Sequence, residues 1–258
     1  MSEGRFEFKY MIPEQRVSEV LDLVRPYAAL DPNGEILPSG RRGYVVSSLY
    51  LDDAALSGYS ERLRMARIRN RVRVRTYGRA GEGRPVFLEA KRKLDNQVIK
   101  HRVRVCTAEQ WASLGERPWQ RAIQQLEGSE RLIGKRWVQH VDTMHMMPVC
   151  TVRYEREIYV EGRARLTLDR DVRGTASPPA EDLYVPSTLQ LLPRDWVVLE
   201  LKFNGSMPVW MRDLVRAMSL RSEPVSKFGL GVVQGLRATH PGELRQLIPY
   251  SVRAEGVA

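Results

Sequence analysis

The chain has 258 residues, enough for one large domain or two small ones, and 43% of them are hydrophobic, which is enough to build a core. Its 41 Lys and Arg against 31 Asp and Glu give a net charge of +10. This charge favours a polyanionic partner such as nucleic acid, nucleotide, polyphosphate or an anionic membrane surface, without choosing among them. No apolar run approaches the ~20 residues of a membrane helix.

Two cysteines and the N-terminus bear on the compartment. Cys106 and Cys150 lie far apart without metal-site spacing, so we expect both to be small buried hydrophobes in a reducing compartment. The N-terminus enters a strand pattern without the features of a signal peptide. A cytoplasmic protein without a membrane span is therefore expected.

The first fifty residues predict a strand, a helix and a second strand. Residues 5–12 alternate as a strand does, with aromatic side chains on one face and Arg5, Glu7 and Lys9 on the other. Pro13 is tolerated in the first turn of a helix. The residues after it form an apolar stripe at helical spacing: Val17, Val20, Leu21, Val24 and Tyr27. Residues 44–51 read as the next strand.

The remainder predicts further strands with helices between them. Residues 67–77, 86–93 and 98–106 read as strands, the last two joined by a turn at Asp95-Asn96. Thr107 would cap the first of several helical segments, and residues 149–160 and 163–169 form a second hairpin. A strand at 197–203 and helices at 208–220 and 228–236 follow. About eight strands of mostly local pairing predict an antiparallel sheet, closed or strongly curved.

The charged faces of these strands are the most informative feature of the sequence. Five arginines alternate from Arg67 to Arg75 and would line one face, about 7 Å apart. At that spacing each adjacent pair repels by ~0.6 kcal/mol in water and ~2.4 kcal/mol at an effective dielectric near 20. Such a row must therefore be solvated, paired with carboxylates or neutralised by an anion. Other strands carry similar faces: Glu89, Lys91 and Lys93; Lys100, Arg102 and Arg104; Arg163, Arg165, Thr167 and Asp169; Glu200 and Lys202.

The opposite faces of several of these strands are apolar, and the amphipathic helices need an apolar surface to cover. If the helices cover the outside, the charged faces point into a wet interior where phosphates would suit the arginines and lysines. Carboxylates there could bind a hard divalent cation that bridges phosphate oxygens. The alternative is an ordinary half-exposed sheet with a salt-bridged solvent face.

Nine short segments together resemble a known family. They are residues 5–10, 48–52, 73–78, 87–91, 100–102, 154–156, 165–169, 200–202 and 226–228. No single segment is specific, but their order and spacing resemble the vacuolar transporter chaperone (VTC) domain of polyphosphate polymerases, in the triphosphate tunnel metalloenzyme or CYTH-like group. The resemblance covers the chain from its first strand to about residue 235. We accordingly expect a VTC-like domain of residues 1–238 and a C-terminal tail of residues 239–258.

The resemblance implies an α+β fold: an eight-stranded antiparallel β-barrel tunnel with helices packed outside. Such a tunnel binds the triphosphate of a nucleotide, or a polyphosphate chain, along its axis with Mn²⁺ or Mg²⁺. The implied catalytic residues are Lys9, Arg73, Arg75, Lys91 and Glu200. The implied substrate-binding residues are Lys100, Arg102, Arg156, Arg165, Lys202 and Lys227. Glu200 would be the principal metal ligand, with Glu7 and Glu89 as helpers.

Two details of the sequence bear on the residue roles that the resemblance implies. Strand parity leaves either Arg153 or Arg156 on the inner face. Arg5 stands where the wider tunnel group has the first of two glutamates, which weakens a two-metal hydrolase interpretation.

Three functions remain after this comparison. The first is a polyphosphate polymerase that takes the terminal phosphate of a nucleoside triphosphate, with ATP as the expected donor. The second is a hydrolase of inorganic or nucleotide triphosphate, and the third is a non-catalytic polyphosphate-binding module. Nucleic acid is not expected, because no aromatic stacking platform accompanies the basic residues. A separate membrane partner would be needed for any membrane coupling, and the sequence leaves the oligomeric state open.

Overall fold

The computed structural model describes residues 5–64, 66–94, 97–223 and 225–239. Its strands are β1 (Arg5–Pro13), β2 (Ala29–Leu30), β3 (Glu35–Ile36), β4 (Arg42–Asp52), β5 (Ile68–Tyr77), β6 (Pro85–Leu94), β7 (Gln97–Thr107), β8 (Met147–Glu161), β9 (Ala164–Ala176), β10 (Leu189–Gln190) and β11 (Trp196–Asn204). Its α-helices are α1 (Val17–Val24), α2 (Ser57–Leu63), α3 (Ala108–Ala112), α4 (Pro118–Ala122), α5 (Gly128–Thr143), α6 (Val209–Ala217) and α7 (Lys227–Thr239).

The eight longer strands are hydrogen-bonded in the order β1-β11-β9-β8-β4-β5-β6-β7. The pairs of β1 with β11, β11 with β9, β5 with β6 and β6 with β7 are all antiparallel. The predicted antiparallel sheet of about eight strands with helices against it is confirmed. Within the described ranges the path has β1 and β7 as its end strands, and closure into a barrel stays a prediction.

The chain divides into two compact units. The first contains Met1–Val46, Arg153–Val172 and Leu192–Ser226, and the second contains Ser47–Val152, Arg173–Leu191 and Lys227–Ala258. The long strands β4, β8 and β9 each contribute residues to both units.

The first unit has a core between the apolar faces of its strands and two helices. β1, β9 and β11 supply the side chains of Tyr10, Ile12, Leu166, Leu168, Leu199 and Leu201. Helices α1 and α6 cover them with Val20, Val24, Met211 and Leu214, which are all buried. Each such side chain contributes about 1.5–3 kcal/mol on burial, so this packing fixes the strand faces. The opposite faces of the same strands carry Lys9, Thr167 and Glu200, which are cross-strand neighbours.

The second unit repeats the arrangement with different elements. Its core joins the apolar faces of β5, β6 and β7 to Trp111, Trp119 and Trp137 of α3, α4 and α5. A capping box at Thr107 starts α3, as predicted: the side chain accepts from the Gln110 amide, and Gln110 returns a bond to the Thr107 amide. A register shift between Val86 and Phe87 lets consecutive residues of β7, Val105 and Cys106, both be buried.

The structure corrects several element boundaries and leaves two predictions outside the described residues. Pro13 ends β1 and does not open the helix, and β9 continues to Ala176 beyond the predicted end at residue 169. Helix α1 ends at Val24, and Tyr27 is 58% exposed and stacks on Trp210, so it does not belong to the buried stripe. The predicted turn at Asp95-Asn96 and the tail after Thr239 lie outside the described residues. Cys106 and Cys150 are buried free thiols, as expected. None of the described helices is long and apolar enough to cross a membrane.

Candidate functional site

Each unit carries one group of charged side chains on the strand face opposite its helices. The carboxylate cluster of the first unit contains Glu7, Lys9, Arg156, Asp169, Glu200 and Lys202. The arginine cluster of the second unit contains Arg73, Arg75, Glu89, Lys100 and Arg102. Period-two alternation puts the charges on these faces because the helices take the other faces.

Glu200 lies at the centre of the carboxylate cluster. Lys202 Nζ is 2.6 Å from its Oε2, Arg156 Nη2 is 3.4 Å from the same oxygen, and Lys9 Nζ is 3.4 Å from Oε1. Glu200 is buried, so this carboxylate is a strong negative centre held by three cations. The antiparallel register explains the grouping, because Lys9 and Glu200 are directly paired across β1 and β11.

Arg156 is fixed by a forked ion pair with the fully buried Asp169. Its Nε donates to Oδ1 at 2.5 Å and its Nη2 donates to Oδ2 at 2.6 Å. Burial alone would lower the pKa of Arg156, but Asp169, Tyr154 and Glu200 outweigh it and raise that pKa well above its ordinary value. Of the two arginines that parity left open, the structure thus brings Arg156 to the carboxylate face.

Lys202 and Lys9 are the ammonium groups of this cluster. Burial lowers the pKa of Lys202 to about 8, although the Glu200 carboxylate opposes the shift. Lys9 lies 3.2 Å from Glu7 Oε1 and donates to the Val225 carbonyl at 3.4 Å. Both lysines are therefore held in place before any ligand arrives, and Lys202 is charged at neutral pH.

Thr167 has a buried hydroxyl without a partner. It is the register partner of Glu200 on β9 and shares a strand face with Asp169, yet its Oγ1 makes no hydrogen bond. A buried hydroxyl left unpaired costs about 1–3 kcal/mol. The hydrogen-bonding capacity of this buried hydroxyl, on the register partner of Glu200, is therefore unused among the described contacts.

In the arginine cluster, cross-strand register assembles two rows of charge over three strands. Arg73 of β5 pairs with Glu89 of β6, which pairs with Arg102 of β7. The next row has only cations: Arg71, Lys91 and Lys100. The sequence showed charged faces on these strands, but only the register shows that a single carboxylate lies among the arginines.

Glu89 is surrounded by cations on all the sides for which contacts are described. Arg73 approaches its Oε2 through Nη2 at 2.5 Å and Nε at 2.7 Å, with Arg75 at 3.9 Å. Lys100 and Arg102 approach Oε1 at 3.4 and 3.3 Å. Burial would raise the pKa of Glu89, but the charges of Arg73, Arg75 and Lys100 outweigh it and lower that pKa to about 2.

Hydroxyl and aromatic side chains on strands of the second unit contact these cations. Arg73 donates to Tyr50 Oη at 3.3 Å and Arg75 donates to Ser48 Oγ at 3.0 Å. The guanidinium of Arg102 lies 3.7 Å from the centre of the Phe87 ring, within range of a cation–π contact. Burial would raise the pKa of Tyr50, but the nearby arginines lower it overall, which reports a strongly positive local potential.

The remaining predicted residues have less defined surroundings. Arg165 is exposed and pairs in register with Lys202. Lys91 lies between Arg71 and Lys100 in the cationic row and is half-buried. Lys227 is buried at the start of α7, where the next residue, Phe228, packs on Tyr50 with ring centres 5.0 Å apart. Glu7 is a register partner of Lys202.

The carboxylates suit a metal ion that arrives with phosphates better than one held by protein alone. In the part of the chain that the structure describes, no group of three or more His, Cys, Asp or Glu side chains could hold an ion. Mg²⁺ and similar ions often bind through one or two carboxylates plus substrate phosphates. Glu200, with the unpaired Thr167 hydroxyl beside it, fits that type of site.

Sequence reasoning missed several groups that the structure places in the clusters. The sequence places Asp169 and Thr167 on a charged face but gives them no role. Ser48, Tyr50 and Phe87 lie within the segments of the resemblance, but their contacts with the arginines are not predicted. Their contacts cross from one strand to another, as from Arg156 to Asp169 and from Arg75 to Ser48. Residue spacing within one strand therefore gives no sign of them.

Comparisons with known proteins agree with the resemblance. The family model of the VTC domain matches residues 4–235. No curated protein matches the chain.

Several solved structures share low identity with the chain. "Putative adenylate cyclases" from Bacillus halodurans and Vibrio parahaemolyticus are each 10% identical, with TM-scores of 0.47 and 0.45. They cover 96% and 89% of this chain, and 99% and 98% of their own chains. A Hippeastrum protein whose title reports a dominant triphosphatase activity is 15% identical, with a TM-score of 0.42 and coverage of 88% and 94%. Similarity at this level carries no argument about the function of this chain.

Proposed function

Because this chain belongs to the VTC domain family, we propose that it transfers the terminal phosphate of a nucleoside triphosphate, with ATP as the expected donor, to a growing polyphosphate chain. The observation that carries the proposal is Glu200, a buried carboxylate held among Lys9, Arg156 and Lys202. Besides ordering these cations, this carboxylate can hold a divalent ion, a role that a module which only binds polyanions does not need. A phosphotransferase needs one to hold a divalent ion beside cations that hold phosphates.

The residues of the carboxylate cluster would bind and orient the reacting phosphates. Phosphoryl transfer depends mostly on positioning and on neutralising charge at the phosphate oxygens. Lys9, Lys202 and Arg156 are already ordered by ion pairs, so they would bind phosphate with little further ordering. Glu200, with Glu7 as a second oxygen ligand, would hold Mn²⁺ or Mg²⁺, which would supply positive charge beside the phosphates.

The arginine cluster would hold consecutive phosphates of a chain. Arg73, Arg75, Lys91, Lys100 and Arg102 belong to three adjacent rows on one strand face, with Arg75 in the row of Phe87. Guanidinium forks suit phosphate oxygens, and lysines add point charges. Lys227 and Arg165 are expected to add to phosphate binding in their own units.

The acceptor requires little activation by the protein. The terminal phosphate of polyphosphate is already anionic, so its oxygen can attack the γ-phosphorus while the bond to the β-phosphate oxygen breaks and the nucleoside diphosphate leaves. Hydrolysis would instead need a group that orients water. The carboxylates of the described clusters are each paired with cations, which does not favour that role.

The test is an incubation of purified protein with ATP and Mn²⁺, followed by separation of long polyphosphate from free phosphate on a gel. Growth of chains is the expected result. Release of phosphate alone would indicate a hydrolase, and neither product would indicate a binding module. Glu200→Gln should lower turnover about 100-fold or more while the protein stays folded, because a metal-bound charge is lost.

The matched control for that variant is Glu19→Gln. It removes the same charge from an exposed position on α1 in the same unit. It should leave synthesis unchanged. Equal rates for Glu200→Gln and wild type would exclude Glu200 from the reaction.

A further inference from the structure

Glu89 uses its two carboxylate oxygens differently. Oε2 holds Arg73 through a short two-nitrogen contact at 2.5 and 2.7 Å. Oε1 makes longer ion pairs, with Lys100 at 3.4 Å and with Arg102 at 3.3 Å. The first oxygen therefore fixes one cation, and the second attracts two others without fixing them.

The four cations around Glu89 also differ in their access to solvent. The side chains of Arg73 and Arg75 are 17% and 10% exposed, while those of Lys100 and Arg102 are 45% and 36% exposed. Arg73 and Arg75 are further tied to Tyr50 and Ser48. Lys100 and Arg102 are accordingly the pair best able to turn towards a ligand.

Cations outnumber anions among the contacts described for Glu89. Four cations contact this one carboxylate. The lowered pKa of Glu89, about 2, keeps this carboxylate ionised throughout the physiological range. A polyanion that binds here meets several cations and one buried negative charge.

We propose that Glu89 is an internal counter-anion, which competes with polyphosphate for Lys100 and Arg102 and thereby limits how tightly the arginine cluster holds the chain. This inference rests on the proposed function and deepens it. Glu89 orders Arg73 for phosphate binding through Oε2 while its charge repels the bound chain. The consequence is a chain that is held in register but still able to advance and leave, since product release limits turnover in many enzymes.

This role differs from the metal-binding role that the resemblance implies for Glu89. A divalent cation at Glu89 would have to enter among four positive side chains, at the cost of strong like-charge repulsion. Glu200 also contacts cations, but three rather than four, and its register partner Thr167 adds an unpaired hydroxyl oxygen.

The experiment measures binding of end-labelled polyphosphate of defined length by fluorescence anisotropy, without nucleotide, for wild type and Glu89→Gln. Glutamine keeps an oxygen for Arg73 but removes the charge. For a phosphate ~6 Å from the lost charge, the expected gain in affinity is roughly threefold to a hundredfold, according to the effective dielectric. Mn²⁺ affinity measured by calorimetry without phosphate should not change.

The control is Glu82→Gln, which removes an equal charge from a surface pair with Arg84 in the same unit and should leave the affinity unchanged. Glu89→Asp tests the idea without loss of charge: the shorter side chain withdraws from Lys100 and Arg102, and the affinity should rise by a smaller factor. Weaker or unchanged polyphosphate binding in folded Glu89 variants would overturn the inference, as would a loss of Mn²⁺ affinity. Binding without chain synthesis would refute the proposed polymerase alone, because this assay needs no turnover.

Discussion

Replacing Asp169 by Asn tests whether the carboxylate cluster is built on a buried ion pair. Asp169 is fully buried and makes two short bonds to Arg156. Asparagine has nearly the same shape but no charge, and its amide nitrogen cannot accept from the guanidinium. The variant therefore leaves a buried cation with one of its two anionic partners removed.

The expected cost follows from the geometry of the pair. Two unit charges ~4 Å apart attract by about 4 kcal/mol at an effective dielectric near 20, and breaking a buried pair costs about 3–5 kcal/mol. Glu200 lies 3.4 Å from Arg156 and retains part of that attraction. We therefore expect Asp169→Asn to lower the free energy of unfolding by about 3 kcal/mol.

Urea denaturation followed by circular dichroism measures this change, provided that the slope with denaturant is unchanged. The matched control is Asp142→Asn, which breaks the exposed pair with Arg117 and should cost less than about 1 kcal/mol. If Asp169→Asn cost no more than this control, the buried pair would not stabilise the cluster and the reasoning above would be refuted.

Three further predictions concern single groups. The pKa of Glu89 is about 2 in the folded protein against an ordinary 4.5, so its contribution to stability is complete above pH 4.5 and is lost as the pH falls towards 2. This contribution amounts to at most about 3 kcal/mol. Glu89→Gln should therefore flatten the acid dependence of the urea midpoint in that window. Because the pKa of Lys202 is about 8, its ammonium group loses a proton as the pH rises through 8, and the affinity for polyphosphate should fall there. In an anisotropy titration, Lys202→Arg should remove this fall in affinity, because arginine stays charged. Thr167→Val deletes a buried hydroxyl that has no partner, so the unliganded protein should be unchanged or up to about 1 kcal/mol more stable in thermal unfolding, while its affinity for Mn²⁺ with a nucleotide should fall.

Each of these has a clear contrary outcome. An acid dependence that is the same with and without the Glu89 carboxylate would mean that its ion pairs do not survive in solution. Binding that stays constant between pH 7 and 9 would remove Lys202 from the phosphate site. Marked destabilisation by Thr167→Val would show that the hydroxyl already has a partner.

The sequence predicted the strands and which face of each carries charge, because alternation is a local property of an extended chain. The predicted strands at residues 67–77 and 86–93 each end within one residue of β5 and β6, since long runs that alternate charged and apolar side chains leave little ambiguity. The two-residue strands β2, β3 and β10 could not be predicted, because two residues show no periodicity. The end of α1 was misplaced, because Tyr27 continues the helical spacing after the backbone has left the helix.

Sequence alternation predicted only part of the candidate site. The sequence supplied the cations and Glu200 through alternation and resemblance, but it did not give their partners. That Arg156 is held by Asp169, that Thr167 faces Glu200, and that Glu89 lies among four cations all depend on the register between paired strands, which no single strand reveals. Register is set by packing of the apolar faces under the helices, where a shift of one residue would exchange the two faces, so only the tertiary structure decides which charges meet.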